Sequence, residues 1–261
     1  LYGRLFIDLI PNVVLVAADK ADRQGNLYTG YNTEETPTIV EVAAFKDGIV
    51  IVQVNEVVDR LPRVDIPSDW IDVVVVADQP YQLEALFTRD PKNITELQIL
   101  MAMMALKGIY AEHEVQSLNH GIGFNTAAIE LLLPTYGEAL GIKGKVAKNW
   151  VLNPHPTMIP AIESGWVESI HSFGGEVGME KYIAARPDVF FVGKDGTMRS
   201  NRALSQTAGQ YAIDMFIGST LQLDYQGNSS TVTKGRLSGF GGAPNMGHNP
   251  GGRRHSTPAW Q

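Results

Sequence analysis

Four short runs of β-branched and aromatic residues constrain the fold of this chain more than any other feature. They are Val13-Val14-Leu15-Val16, Ile49-Val50-Ile51-Val52, Val73-Val74-Val75-Val76 and Val189-Phe190-Phe191-Val192. Each run is continuous rather than alternating, which is typical of strands buried on both faces of a parallel sheet covered by helices. A buried helix is the alternative for any single run, but four bounded runs of this length favour strands.

Helical patterns alternate with these runs. Thr95-Glu96-Leu97-Gln98 has the pattern of a capping box, and Gly108 is expected to end the helix that follows it. A second helix is predicted over Thr126–Leu133, capped by Asn125 or Thr126, and a third over about Thr207–Phe216. The apolar residues that the first helix places on one face are Leu97, Leu100, Met101, Met104 and Ala105. The alternation of strands and helices predicts an α/β fold with mostly parallel sheets covered by helices.

Composition excludes several classes of protein. The 261 residues are 44% hydrophobic and 19% charged, which supplies a buried core and excludes a disordered tail. The net charge of −7 argues against a protein that binds the nucleic-acid backbone. Because there are no cysteines, a disulfide scaffold, a thiolate metal site and a cysteine nucleophile are excluded. The sequence predicts no membrane span and no signal peptide, so we expect a cytoplasmic location.

The chain is expected to contain parts of two domains. It does not begin with Met, and we interpret it as a piece of a longer polypeptide. A boundary is predicted near Asp78-Gln79-Pro80 or within residues 88–93, where the β-rich part gives way to the capped helix. We therefore expect residues 1–90 to be the end of a first domain and residues 91–261 to form a second, nearly complete one.

The glycine-rich segment before the second predicted helix is the first candidate ligand site. It reads His120-Gly121-Ile122-Gly123-Phe124-Asn125. Glycines let the backbone approach a ligand closely, and a helix start offers N–H groups to a carboxylate, a phosphate or an oxyanion. A tight turn from loop to helix is the alternative.

Two further glycine-rich segments are candidates of the same kind. Ser172-Phe173-Gly174-Gly175-Glu176-Val177-Gly178 places a carboxylate at the end of a probable strand, where ligands sit in α/β sheets. Glu176 is therefore a candidate base or nucleophile, with an exposed turn glutamate as the alternative. Gly239-Phe240-Gly241-Gly242-Ala243-Pro244-Asn245 is a close-approach loop or a flexible surface loop.

The remaining polar residues give weaker signals. The six histidines are scattered without metal-ligand spacing, so no metal site is expected. His120 and His171 lie beside glycine loops and are weak candidates for acid–base roles, while structural histidines are the alternative. The sequence contains neither a GxSxG nucleophile elbow nor a GxxxxGK[ST] phosphate loop, and so lacks the usual signals of serine hydrolases and NTPases.

Several motifs resemble those of the coenzyme A transferase superfamily, and together they cover nearly the whole chain. The segment Ala18–Leu27 is similar to the "ADxxGN" stretch late in the first half of that family, and Gly121-Ile122-Gly123-Phe124 to its "GIG" loop. Residues 216–228 and 232–243 are similar to its late glycine-rich region. His155-Pro156-Thr157 and Asn245-Met246-Gly247-His248 resemble most the α subunits of bacterial malonate decarboxylases.

The resemblance implies two similar α/β halves, here with the first one truncated, and an active site between them. It implies that malonate displaces acetate on the thiol of an acyl carrier protein, giving malonyl-carrier and acetate, after which decarboxylase subunits act. The thiol would belong to the carrier's prosthetic group, derived from dephospho-coenzyme A, so the chain itself would bind no cofactor. A citrate-lyase-type α subunit and a scaffold that only docks the carrier are the alternatives.

The resemblance also suggests the site residues and shows one departure. Many coenzyme A transferases carry a nucleophilic glutamate in an "SENG" turn, where this chain has Phe173, and the nearest carboxylate is Glu176. A direct transfer or a mixed-anhydride step would need no enzyme carboxylate, which leaves Glu176 as an orienting group. The residues expected at the chemistry are Glu176, Gly123 and Phe124. Those expected to bind substrate or thioester are His120, Gly121, Ile122, Asn125, Gly174, Gly175, Gly241, Gly242 and Ala243.

Overall fold

The computed structural model describes residues 10–30, 36–81, 90–121, 123–172, 178–191, 213–218, 222–226, 229–230, 232–233 and 236–237. The chain divides into two compact units, one drawn from residues 1–85 and 172–206 and the other from residues 86–171 and 207–261. The predicted division into halves 1–90 and 91–261 stays a prediction. Among the described helices, none combines the length and the apolar character that a bilayer crossing requires.

The first unit is built on a four-stranded sheet with the order β2–β1–β3–β4. Its strands are β1 (Val13–Asp22), β2 (Leu27–Tyr28), β3 (Ile49–Val58) and β4 (Val73–Val76). Strands β1, β3 and β4 run parallel, while β2 runs antiparallel to β1. Helix α1 (Thr36–Ala44) precedes β3 and packs against β1 and β3. The prediction of parallel strands is confirmed for the runs that begin at Val13, Ile49 and Val73.

Only one face of this sheet is buried. The side chains that form the core under α1 are Val14, Val16, Ala18, Val50, Val52 and Val54, together with Val40 and Ala43 of the helix. On the other face Leu15 is 78% exposed, and β4 is exposed on both of its faces. The prediction of burial on both faces is therefore wrong for the described residues, because helix packing covers only the side that α1 occupies.

The second unit is built on a sheet with the order β7–β6–β5–β8. Its elements are α2 (Glu96–Ala105), β5 (Ser117–His120), α3 (Phe124–Leu132), β6 (Asn149–Leu152), α4 (Ile159–Glu163), β7 (Ser169–Ser172) and β8 (Met215–Ile217). Strand β5 is parallel to both β6 and β8. Wide helical turns at Leu106–Tyr110 and Leu133–Gly137 extend α2 and α3.

The remaining elements are short. Helix α5 (Glu180–Ala185) belongs to the first unit, and Tyr182 on it makes an edge-to-face contact with Phe190. Two small antiparallel pairs follow β8, namely β9 (Gln222–Leu223) with β10 (Ser229–Ser230) and β11 (Val232–Thr233) with β12 (Arg236–Leu237). Of the strand predicted over Val189–Val192, only Phe190 forms a β-bridge, since Val189 ends a turn, Phe191 lies in irregular structure and Val192 lies outside the described residues.

The first predicted helix is confirmed in its start but not in its end or its buried face. Thr95 accepts a hydrogen bond from the Gln98 N–H, and the Gln98 side chain accepts one from the Thr95 N–H, so the capping box is formed. Gly108 does not end the helix, because the chain continues through the wide turn. The predicted apolar face is largely exposed, with Leu97 65% exposed, while Ala102, Leu106 and Tyr110 on another side are buried.

The other two helices also differ from expectation. The second begins at Phe124 with Gly123 as its N-cap, and neither Asn125 nor Thr126 caps it. The regular helix ends at Leu132, just before Pro134, which has no N–H to donate to the helical ladder. The third predicted helix is wrong over Met215–Phe216, which belong to β8, and residues 207–212 lie outside the described residues.

Candidate functional site

The second sheet contains a topological switch point between β5 and β8. The chain proceeds outward from β5 to β6 and β7 on one side, and β8 then pairs with β5 on the other side. In open α/β sheets, ligands bind in the crevice outside the carboxyl ends of the strands at such a point. Here the two carboxyl ends are His120 of β5 and Ile217 of β8, and each is followed by a glycine.

These two glycines bring the backbones after β5 and β8 into close contact. The Gly121 N–H donates to the Ile217 carbonyl at 2.7 Å. A Cβ atom on Gly121 would lie 3.2 Å from the Gly218 Cα, and one on Gly218 would lie 2.8 Å from the Phe216 ring. A side chain at either position would press on its neighbours, so the two chain segments pack this closely at the carboxyl edge of the sheet because both residues are glycines.

The start of α3 lies directly beside this edge. The Thr126 hydroxyl contacts the carbonyls of Gly121 and Gly123, the latter at 2.8 Å, and so ties the loop to the first turn of the helix. Gly123 has a φ of −91°, which other residues adopt as well, so its backbone conformation alone does not require glycine. The first N–H groups of a helix have no acceptors within the helix and carry the positive end of its dipole.

A buried polar network lies behind the edge. The His120 ring contacts the Tyr110 hydroxyl through Nε2 at 2.5 Å and the Glu130 carboxylate through Nδ1 at 2.9 Å. His155 Nε2 lies 3.3 Å from the same Glu130 oxygen, and the Thr157 hydroxyl donates to the other oxygen at 2.7 Å. All five side chains are buried. Since Glu130 belongs to α3 and His155 follows β6, the network joins the ends of β5 and β6 to the helix.

The electrostatics of the network keep Glu130 ionised. Burial by itself would raise the pKa of the Glu130 carboxyl, but the charge of His155 and the hydrogen bonds from both imidazoles outweigh it and hold that pKa well below its ordinary value. Burial raises the pKa of the Tyr110 phenol well above its ordinary value, and the nearby Glu130 charge adds to this. Tyr110 is therefore a neutral hydrogen-bonding group at physiological pH.

The amino ends of β5 and β8 are fixed by a separate cluster. The Asp214 carboxylate accepts hydrogen bonds from the N–H groups of Gln116 and Ser117 at 3.0 and 2.9 Å. The Asp214 N–H donates in turn to the Ser117 hydroxyl at 2.9 Å. Both ends of the β5–β8 pairing are thus tied by hydrogen bonds, at Asp214 on one side and between Gly121 and Ile217 on the other.

Five of the residues expected from the sequence lie together at the junction of β5 and α3, namely His120, Gly121, Gly123, Phe124 and Asn125. The His120 ring is buried and engaged through both nitrogens, so only its backbone reaches the edge. His171 is an exposed residue of β7. Ile122, Phe173, Gly174, Gly175, Glu176, Gly241, Gly242 and Ala243 lie outside the described residues.

The sequence reasoning did not identify Tyr110, Glu130, Thr157 or Gly218 as site residues. Glu130 had a usable signal, because it is the one charged residue in the run Ala127-Ala128-Ile129-Glu130-Leu131-Leu132-Leu133. A carboxylate among so many apolar residues is buried only when it is paired. Within the part of the chain that the structure describes, no group of three His, Asp or Glu side chains is arranged to hold a metal ion.

Comparisons with known proteins agree on one family. A model of the family described as "malonate decarboxylase, alpha subunit, transporter" matches residues 1–261. A protein from Malonomonas rubra named acetyl-S-ACP:malonate ACP transferase is 66% identical over 260 residues, which is 100% of this chain and 47% of that protein. The chain therefore spans about half the length of the curated relative that it matches.

Solved structures lead to the same family. A Pseudomonas malonate decarboxylase hetero-tetramer in complex with malonate matches with a TM-score of 0.87 and 70% identity, over 99% of this chain and 48% of that one. The alpha subunit from Acinetobacter baumannii gives 0.87 and 72% over the same shares. A citrate lyase alpha subunit from Streptococcus mutans, at 0.65 and 18% identity over 88% of this chain and 46% of that one, shares the fold. The chain belongs to the malonate decarboxylase alpha-subunit family.

Proposed function

We propose that this chain forms part of an acyl-carrier-protein transferase that exchanges acetate for malonate on the carrier thiol. The observation that carries the proposal is the close-packed glycine edge at Gly121 and Gly218, at the switch point of a parallel sheet and beside the start of α3. The proposal is further supported by the Malonomonas rubra relative, whose name states this activity. The expected site residues that lie outside the described residues, Glu176 among them, stay part of this proposal.

In this proposal the loop between β5 and α3 binds the acyl group rather than reacting with it. Because Gly121 and Gly218 carry no side chains, the backbones after β5 and β8 pack closely together, and the start of α3 follows directly at this edge. The N–H groups of the first turn of α3 would stabilise the negative charge that develops on the carbonyl oxygen. The carrier's prosthetic thiol, derived from dephospho-coenzyme A, and the partner decarboxylase subunits are parts of the same proposal.

The exchange balances without a covalent enzyme intermediate. A malonate carboxylate oxygen attacks the acetyl carbonyl, the acetyl C–S bond breaks, and the carrier thiolate is the leaving group. The product of this step is a mixed acetyl–malonyl anhydride. The thiolate then attacks the malonyl carbonyl, a new C–S bond forms, and acetate leaves with one oxygen that came from malonate. The task of the protein is to hold the two acids and the thiolate in reacting geometry.

Acetate release tests the proposal. The full-length subunit is mixed with acetyl-carrier and with either malonate or citrate, and free acetate and the new carrier thioester are measured. Acetate release with malonate and malonyl-carrier formation are expected. Release with citrate alone would favour a citrate-lyase-type subunit, and no release with either acid would favour a scaffold that only docks the carrier. Each of these two results would contradict the proposal.

The mechanism has its own test, because Phe173 stands where a nucleophilic glutamate is expected. We expect no glutamyl thioester after incubation with acetyl-carrier, so borohydride should reduce no glutamate of the chain. Glu176→Gln should lower turnover yet leave measurable transfer, since a carboxamide keeps part of the hydrogen bonding. A covalent adduct on Glu176, located by peptide mass mapping, would contradict a direct transfer.

A further inference from the structure

The buried network around Glu130 connects three of the elements near the proposed site edge, namely α3, β5 and β6. Glu130 lies two turns into α3, His120 is the last residue of β5, and His155 follows the end of β6. Because Gly121 directly follows His120, contacts that hold the His120 ring also restrain the backbone at the start of the edge. The network is therefore placed to control the position of the loop, although none of its side chains lies at the surface.

The hydrogen bonds define one consistent arrangement of protons. The ionised carboxylate of Glu130 can only accept hydrogen bonds, so the Thr157 hydroxyl donates its single proton to Glu130. His155 Nδ1, which lies 2.5 Å from the same hydroxyl oxygen, must then be the donor in that contact. The other nitrogen of His155 faces Glu130, so the ring carries two protons and is a cation paired with the carboxylate.

The His120 ring is held through both of its nitrogens. Its Nδ1 faces Glu130 and therefore carries a proton, and its Nε2 contacts the Tyr110 hydroxyl. Every donor and acceptor in this arrangement has a partner, which is the condition under which a buried polar network rigidifies its surroundings.

We propose that Glu130 is a positioning residue for acyl transfer, which holds the carboxyl ends of β5 and β6 in place beneath the first turn of α3. This inference rests on the proposed function. A buried ion pair is weak evidence for stability, because well-packed apolar residues in its place are often as stable or more so. The arrangement is instead suited to specify one geometry, and the backbone that it specifies is the edge at Gly121 and Gly218.

The main test is Glu130→Gln in the full-length subunit with its partner proteins. The amide of glutamine keeps the shape of the carboxylate, but its NH₂ group would face the imidazole and hydroxyl groups that now donate to Glu130. The loop should therefore lose its fixed position. We expect kcat for acetate release to fall about tenfold to a hundredfold, the cost of a small misplacement, with KM for acetyl-carrier changed by less than about threefold. Amide hydrogen exchange at residues 121–127 should become faster.

Two further variants separate positioning from stability. Thr157→Val removes the hydroxyl that completes the network and should lower kcat about tenfold, whereas Thr157→Ser restores the hydroxyl and should recover most of that loss. Asp65→Asn is the matched control. Its carboxylate is fully buried against Arg63 and Thr29 in the first unit and takes no part in the network, so this variant should lower thermal stability with kcat unchanged.

The outcomes distinguish this inference from the proposed function. If folded Glu130→Gln keeps kcat within about twofold of the wild type, or loses activity only with its folded fraction, as Asp65→Asn should, Glu130 has a structural role alone. If the wild type itself releases no acetate, the proposed function fails. In that case the hydrogen exchange of residues 121–127 decides whether Glu130 holds the loop, and an unchanged exchange rate would overturn the inference.

Discussion

The two sheets of this chain use different residues for different purposes. The strands β1, β3 and β4 are mostly valine and isoleucine, and their buried face is wholly apolar under α1. The strands of the second sheet read SLNH, NWVL, SIHS and MFI, and Asn119, His120 and Ser172 on them are buried polar residues. The first sheet is held mainly by apolar burial, although Asn55 of β3 donates to Asp19 of β1, whereas the second sheet buries polar side chains on its strands.

The difference between the sheets indicates where function lies. The Asn119 side chain donates to the Val151 carbonyl across β5 and β6, and the Glu130 network lies at the carboxyl ends of the same strands. Buried polar groups cost free energy unless they are paired, so their concentration in one sheet marks a place where geometry matters more than stability alone. Changes in the second sheet should therefore affect transfer, and changes in the first should affect folding.

The largest expected effect is that of Gly121→Val. The added side chain would collide with the Gly218 backbone and the Ile217 carbonyl, and the substrate edge would be lost. We expect at least about a hundredfold loss of acetate release, comparable with removal of one oxyanion donor. Gly108→Val is the matched control, since no atom lies within 4 Å of its Cβ position, and it should transfer normally. Normal turnover by folded Gly121→Val would remove the loop from the site.

The first sheet should respond in the opposite way. Val52 is fully buried between β1 and β4, so Val52→Ala should lower the free energy of unfolding by about 2 kcal/mol through lost apolar burial and a residual cavity. Chemical denaturation of the full-length subunit measures this change. Turnover per folded molecule should stay the same, and a specific loss of kcat would show that the two sheets are not separable.

Acid should destabilise the second unit through Glu130. The folded state holds the pKa of this carboxyl below its unfolded value, so its contribution is complete above about pH 4.5 and is lost as the pH falls below that value. A single such group changes the unfolding free energy by up to about 1.4 kcal/mol for each pH unit. Glu130→Gln should flatten the acid limb of the stability curve, and an unchanged limb would mean that Glu130 is not ionised in the folded protein.

The smallest expected effect concerns the start of α2. Thr95→Ala removes the side-chain half of the capping box there and should cost about 1 kcal/mol of stability. Thermal unfolding measures the loss, and Thr95→Ser, which keeps the hydroxyl, is the control. Acetate release should not change, because the Thr95 side chain bonds only to Gln98 of its own helix; a drop in kcat would extend the functional region to this helix.

The sequence predicted the first sheet better than the second, for a physical reason. Continuous β-branched runs have few alternatives to a strand, so three of the four runs were recognised correctly, as was the capping box at Thr95. The strands of the second sheet are four residues or fewer and carry polar side chains that satisfy each other only in three dimensions. The loop at Gly121 was found through its glycines, whereas the partners of Glu130 come from separate segments that only the fold brings together.

The central claim is that the acyl group binds at the carboxyl edge formed by β5 and β8. Hydrogen exchange of the full-length subunit, with and without saturating malonate and non-hydrolysable acetyl-carrier, tests it most directly. We predict slower exchange at residues 121–127 and at Gly218 when both ligands are present, with the amides of β1 (Val13–Asp22) unchanged along their buried length. Saturable binding that leaves residues 121–127 and Gly218 unprotected would contradict the account.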